Sequence, residues 1–243
     1  MTALVHFQLD SGVATITLDS PPNRNALSPQ LVAELLEALD HAEQASARAV
    51  ALTHTGPVFS AGMDLTARLA DPELNVPFAA LIERVMTFNA PTIAAVHGSV
   101  RAGGIGLMAA CDLVVAHSSV TFAFTEVRLG LAPAVISIPV LSRCAWPSLA
   151  GPFLTGETFD AAAACRMGLV SHVNDDVTMV VDDLLRGVLA GAPNALAVTK
   201  QLLRGGRRSF ADMQRLSDEL FRSAEGTEGM RSFAEKRPPA WQQ

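Results

Sequence analysis

The sequence predicts an α/β core over about residues 1–150 followed by a helical region over about residues 151–243. Three observations carry that prediction. Short apolar, strand-like runs lead into glycine-bearing turns and then into helical segments, and this unit recurs through the first part without obvious sequence repetition. Beyond about residue 150 the apolar spacing becomes mainly helical. No flexible linker is read between the two parts.

The elements follow in order. Val5 to Leu9 and Val13 to Leu18 alternate around Asp10-Ser11-Gly12, a hairpin pattern. Pro21 to Asn25 reads as a loop. Ser28-Pro29 then reads as the cap and first residue of a helix whose Leu31, Leu35, Leu36 and Leu39 share one face. Ala49 to Thr53 is a short buried strand, residues 66–76 a polar, irregular loop over the substrate path, and Pro77 to Asn89 a helix. Pro91 precedes the strand Thr92 to Val96; a helix over about Gly103 to Ala110 and strands at Asp112 to Ala116 and Thr121 to Phe124 complete the core. Asp160 caps a helix over Ala161 to Met167 that Gly168 ends, and Leu169 to Val173 is a strand. Helices at about 175–190, 194–204 and 210–222 follow, with Gly205-Gly206 ending the second, and the last segment runs from Thr227 to Arg237 before Pro238-Pro239.

Composition narrows the function classes. The net charge of −6 argues against a nucleic-acid surface, which needs a basic face. Cys111, Cys144 and Cys165 form neither a disulfide framework nor a zinc spacing. The N-terminus has no basic segment leading into an apolar core, and no run of about 18 apolar residues exists to span a membrane. The expectation is a cytoplasmic protein. His97 at a strand end reads as a packed or hydrogen-bonded residue, and His54 and His172 have no carboxylate or serine at a telling spacing.

Two segments carry glycine where backbone must turn sharply or lie close to a ligand: Phe59-Ser60-Ala61-Gly62-Met63-Asp64-Leu65 and Val96 to Gly106, which includes Ala102-Gly103-Gly104-Ile105-Gly106. Each alone is an ordinary turn, and the second lacks the G-x-G-x-x-G spacing of a dinucleotide loop. Together they read as two halves of an oxyanion hole, whose backbone N–H groups stabilise the charge on a thioester oxygen as it becomes an enolate. Thr125-Glu126-Val127-Arg128-Leu129-Gly130 supplies a carboxylate for proton transfer.

In this combination and order the segments resemble the crotonase (enoyl-CoA hydratase/isomerase) superfamily. The resemblance extends from Asn25-Ala26-Leu27 to Phe233-Ala234-Glu235-Lys236-Arg237. It implies a crotonase-like spiral of repeated ββα units carrying the CoA-thioester site, with a helical C-terminal region that completes a homotrimer or a dimer of trimers. It implies acyl-CoA thioesters as substrates, coenzyme A being part of the substrate, with no further cofactor and no metal. By motif position the oxyanion donors are the N–H groups of Met63 and Gly103, each worth roughly 3–4 kcal/mol of transition-state stabilisation in a water-poor site. Glu126 is the acid/base, and Arg128 is structural. CoA and substrate contacts fall on Asn23, Arg24, Ala26, Ala61, Met63, Asp64, Leu65, Thr66 and Gly104, with Pro133 shaping the acyl end. Phe233 and Lys236 match positions that touch CoA from a neighbouring subunit.

One position departs from the pattern. Hydratases with the full catalytic set carry a second glutamate three residues after the oxyanion glycine, and here that residue is Gly106. Adding water across a 2,3 double bond is work two carboxylates share naturally, whereas moving a double bond from 3,4 to 2,3 needs only one. The stretch Gly103 to Asp112, followed by Thr125 to Ser137, nonetheless resembles a bacterial branch assigned as enoyl-CoA or branched glutaconyl-CoA hydratases. Three readings stay open: a hydratase using Glu126, a 3,2-enoyl-CoA isomerase using Glu126, and a non-catalytic acyl-CoA binding protein.

Overall fold

Alternating residues in Val5–Asp10 (β1) and Val13–Leu18 (β2) form the expected antiparallel hairpin, Val5 opposite Leu18 and Asp10 opposite Val13. Ser11 and Gly12 turn it with positive φ of 48° and 81°, as a two-residue loop requires. The computed structural model describes residues 2–71, 73–205 and 209–242. Helix α1 (Pro29–Gln44) starts at Ser28, whose hydroxyl accepts the Leu31 amide at 3.2 Å. Its buried face holds Leu31, Val32, Leu35, Ala38, Leu39 and Ala42, with Leu36 half-buried on the flank.

From there the chain winds between two sheets. Ala49–His54 (β3) joins the first sheet and Val58–Ser60 (β4) the second. After helices Leu65–Ala70 (α2) and Phe78–Thr87 (α3), Thr92–Val96 (β5) returns to the first sheet and Ser99–Arg101 (β6) to the second. Helix Gly103–Ala110 (α4) follows, then Leu113–Ala116 (β7) and Thr121–Ala123 (β8) repeat the alternation. This is the spiral of ββα units. Helices Ala134–Arg143 (α5) and Trp146–Thr155 (α6) lead to Phe159–Asp160 (β9), Ala161–Met167 (α7) and His172–Val173 (β10). The sheets read β1-β2-β3-β5-β7-β10 and β4-β6-β8-β9, parallel except at β1–β2 and β8–β9. The inner strands are near-continuous apolar runs, as strands covered on both faces must be.

The C-terminal helices are Val177–Ala190 (α8), Pro193–Arg204 (α9), Phe210–Arg222 (α10) and Ala224–Glu235 (α11). Val177 and Val181 of α8 cover Ile93, Ala95 and Val115 on the first sheet. An ionic cluster ties α9 down: Asp112 accepts Lys200 Nζ at 2.7 Å and Arg204 Nη2 at 2.8 Å. Among the described residues no helix is long and apolar enough to cross a membrane.

Several expectations are corrected. Part of the stretch read as irregular at 66–76 is α2, capped by Asp64, whose carboxylate accepts the Ala67 amide at 3.0 Å. That helix has no buried residue, so no apolar periodicity announces it. Helices α5 and α6 contain Pro139 and Pro152, and strands β4 and β6 are only three residues long. The strand expected over Leu169 to Val173 is confined to β10, and α11 starts at Ala224, not Thr227, because Ser223 caps it. Gly205 follows α9, while Gly206 lies outside the described residues.

Candidate active site

Residues ahead of α1 build the floor under the first glycine turn. Arg24 and Asn25 both have positive φ, 60° and 50°, which folds the buried Asn25 side chain inward. Its Oδ1 accepts the Ser20 amide at 2.7 Å, and its Nδ2 donates to Val58 O at 2.8 Å and Thr55 O at 3.1 Å. The Ser60 hydroxyl donates to Asn25 O at 2.8 Å and accepts the Gly62 amide at 3.2 Å. Arg24 O accepts the Ala61 amide at 3.0 Å. The segment after β4 is therefore held by backbone bonds on both sides.

The two glycine turns meet. Leu27 bridges to Met63 through Leu27 N–H to Gly62 O at 2.8 Å and Asp64 N–H to Leu27 O at 3.5 Å. Those bonds use the Gly62 carbonyl and the Asp64 amide and leave the Met63 N–H outside the bridge. Gly62 has φ of 88°, and a Cβ there would lie 3.1 Å from Gly103 N and 3.0 Å from Ala102 Cβ. A Cβ on Gly103 would lie 3.5 Å from Met63 N. Gly103 opens α4, so its N–H has no acceptor within the helix, and the helix dipole adds positive potential there. Ala102, held by its amide to Ala123 O at 3.0 Å, aims this turn with φ of 48° and ψ of −122°, a backbone conformation that favours glycine.

Both turns open onto a cavity of 260 Å³. It is lined by Ala61, Met63, Leu65, Phe78, Ala102, Gly103, Thr125, Glu126, Leu129 and the run Leu131 to Ile136. Glu126 is the only ionisable side chain in that lining among the described residues. It starts a 3-10 turn, Glu126–Leu129, closed by Gly130 with φ of 72°. Its Oε2 is buried with no hydrogen-bond partner among the described residues. Burial holds its carboxyl above the usual value, against a smaller opposing pull from its own backbone amide. A carboxylate kept basic by burial, lining the same cavity as Met63 and Gly103, has the chemistry to move protons next to a carbonyl whose oxygen those two amides could hold.

Position 106 is closed to side chains. A Cβ on Gly106 would lie 2.3 Å from Ile136 Cγ2 and 2.7 Å from its Cβ. Ile136 of α5 is buried and also lines the cavity.

A family model described as "Enoyl-CoA hydratase/isomerase" matches residues 8–243. The chain belongs to the enoyl-CoA hydratase/isomerase family. The 2,3-dehydroadipyl-CoA hydratase of Escherichia coli is 33% identical, over 93% of this chain and 94% of that one. The solved enoyl-CoA hydratase of Mycobacterium avium is 39% identical with a TM-score of 0.76, covering 99% of this chain and 100% of its own. Pseudomonas aeruginosa AtuE is 33% identical with a TM-score of 0.91 over the same shares. The chain is thus an enzyme of this family, with acyl-CoA thioesters as its substrate class.

Of the residues singled out in the sequence, Ala61, Met63, Leu65, Gly103, Glu126 and Pro133 come together around the cavity. Asn23, Arg24 and Ala26 are not in its lining; Asn23 Oδ1 accepts the Ala26 amide at 3.3 Å, and Arg24 is exposed. Asp64 caps α2 and Thr66 is exposed. Gly104 faces away from the cavity: a Cβ there would sit 2.7 Å from Ser60 O. Phe233 and Lys236 are exposed on and after α11 and do not line the cavity within this chain. His97 is exposed, and its backbone amide donates to His54 Nε2 at 3.1 Å. Sequence reasoning missed the bracing by Asn25 and Ser60 and the wall residue Ile136. Asn25 meets Ser60 across 35 residues of chain and Ile136 belongs to α5, so no local pattern announces these contacts. Among the described residues no group of three or more His, Cys, Asp or Glu side chains is placed to hold a metal.

Proposed function

We propose that this enzyme hydrates the 2,3 double bond of an enoyl-CoA thioester, with Glu126 as its single acid/base. The observation that carries the reading is a half-buried carboxylate whose Oε2 has no hydrogen-bond partner among the described residues, on the same cavity as Met63 and Gly103. Glu126 takes a proton from water as the water oxygen bonds to Cβ. The π pair moves to Cα and the carbonyl, and the thioester oxygen carries the negative charge between the two amides. The protonated Glu126 then returns the proton to Cα as the enolate collapses, so one water is added and the carboxylate restored. The names of several relatives, such as the Escherichia coli hydratase, support this direction. Isomerisation of a 3-enoyl thioester is the second reading, favoured by the apolar Ile136 where a second carboxylate would stand. There Glu126 removes a proton from Cα and returns it to Cγ through the same enolate.

CoA is assigned to the loop from Asn23 to Ala26 and to the segment Met63 to Thr66, with Arg24 free to meet phosphate. The exposed Phe233 and Lys236 are assigned to the CoA of a neighbouring subunit in a trimer or a dimer of trimers. The test incubates the protein with matched 2-enoyl-CoA and 3-enoyl-CoA and resolves products by mass. Gain of one water on the 2-enoyl substrate supports hydration; a mass-neutral conversion of the 3-enoyl substrate alone replaces it with isomerisation. If Glu126→Gln matches the native protein on both, the role assigned to Glu126 is wrong.

A further inference from the structure

We propose that Ile136 determines which reaction this cavity performs: its side chain closes position 106, so Gly106 and Ile136 form a matched pair that leaves proton transfer to one carboxylate. This rests on the reading of Glu126 as acid/base. Gly106 is therefore not an isolated loss of a functional group.

The closure is steric on both sides of α4. Residues 104 and 106 are about 200° apart around a helix and so face nearly opposite directions. On one side a Cβ at Gly104 would meet Ser60 O at 2.7 Å and Ser60 Cβ at 2.8 Å; on the other a Cβ at Gly106 would meet Ile136 Cγ2 at 2.3 Å. The helix is thus wedged between β4 and α5, and cannot retreat from one without striking the other. Helix α5 is equally restrained, because Pro133 and Pro139 bracket Ile136 and fix the backbone on either side of it. Ile136 is 3% exposed, so its side chain has no open space to turn into. Because Ile136 also lines the cavity, the volume it occupies is continuous with the acyl site. Removing it opens that wall to a group at 106, and only then can a carboxylate at 106 reach the substrate.

A mutational cycle tests both halves. Gly106→Ala is the smallest probe, and is expected to lower Tm by about 5 °C through overpacking. Ile136→Gly is expected to lower Tm through the cavity it leaves. Combining the two should recover about 5 °C relative to the sum, since the clash is gone. A Gly106→Ala variant with native Tm, or purely additive losses, overturns the steric pairing. The chemical half compares Ile136→Gly with the Gly106→Glu/Ile136→Gly double variant. The double variant should raise the ratio of hydrated to isomerised product at least ~10-fold, as an added acid–base group does, and add a second ionisation to the pH profile. A folded double variant with the product ratio and pH profile of Ile136→Gly overturns the reaction-determining role. Native protein inactive on both thioesters overturns the enzyme reading and that role with it; the Tm coupling then still decides the steric pairing, so the two failures are distinguishable.

Discussion

Burial of Glu126 costs stability. Burial raises its folded pKa above the usual 4.5, so the folded chain binds more protons than the unfolded chain between those two values. Stability therefore falls as pH rises through that window, and the cost is fully present above the folded value. Glu126→Gln is expected to raise Tm at pH 7 while lowering kcat roughly 100- to 10,000-fold with substrate affinity retained. Thermal unfolding and steady-state kinetics on one preparation check both directions at once. The acid limb of the native kcat profile should have its midpoint above 4.5; a midpoint at or below it means another group titrates. Ala102 carries a different cost, a φ of 48° in a residue with a Cβ. Ala102→Gly is expected to stabilise the chain by about 1 kcal/mol, raising Tm by about 2–4 °C, since glycine adopts that conformation without clash. An unchanged or lower Tm means the unfolded-chain entropy of glycine outweighs the relief. The carboxylate and the two glycine turns are legible in the sequence because motif order carries them. The strain at Ala102 and the contact of Ile136 with Gly106 are not, because they depend on how separate segments approach in space.

Elements with a periodic face or a continuous apolar run are equally legible. The hairpin follows alternation, α1 follows helical spacing behind its Ser28 cap, and β3, β5 and α4 follow apolar runs that one segment contains by itself. What escapes are elements whose reason lies elsewhere in the chain. β4 and β6 are three-residue strands that exist because each pairs with a neighbour, and α5 and α6 are helices in spite of internal prolines because their buried Ile136, Val140 and Leu149 pack on the core. α2 offers no apolar stripe at all. The junction of β3 and β5 makes a prediction that depends on such pairing. His54 closes β3, is buried, and accepts the His97 amide on Nε2 at 3.1 Å, while its Nδ1 lies 3.2 Å from Thr55 O. That arrangement needs a neutral ring, and burial, aided by the neighbouring His97, lowers its pKa below 6.5. The unfolded chain then binds more protons than the folded one, so stability is lost as pH falls below 6.5 towards the folded value. Chemical denaturation between pH 7.5 and 5.5 is expected to show this loss, and His54→Gln, which keeps an acceptor for the His97 amide, to flatten it. A slope unchanged in His54→Gln assigns the acid sensitivity to another group.

The molecule as a whole carries apolar surface that one chain does not cover. α10 has no buried residue and α11 buries only Ser232, although the two pair with each other. Phe210 is 98% exposed, Phe233 87% and Leu203 82%. Helices of 13 and 12 residues are marginal without tertiary packing, so their order within this chain has too little behind it unless a partner covers them. The proposed homotrimer, or a dimer of trimers, supplies that cover and would bring Phe233 and Lys236 to a neighbour's CoA. Sedimentation at micromolar concentration is therefore expected to give three or six times the chain mass. Phe210→Asp with Phe233→Asp places a charge in each half of the exposed stripe, and is expected to dissociate the assembly and lower helical content. If Phe233 serves the neighbouring site, the same change raises KM for the CoA thioester more than it lowers kcat, because Glu126 and the two glycine turns all belong to one chain. A native protein that sediments as a monomer with α10 and α11 protected from hydrogen exchange overturns the assembly. Dissociation with KM unchanged keeps the assembly and removes Phe233 from the CoA site.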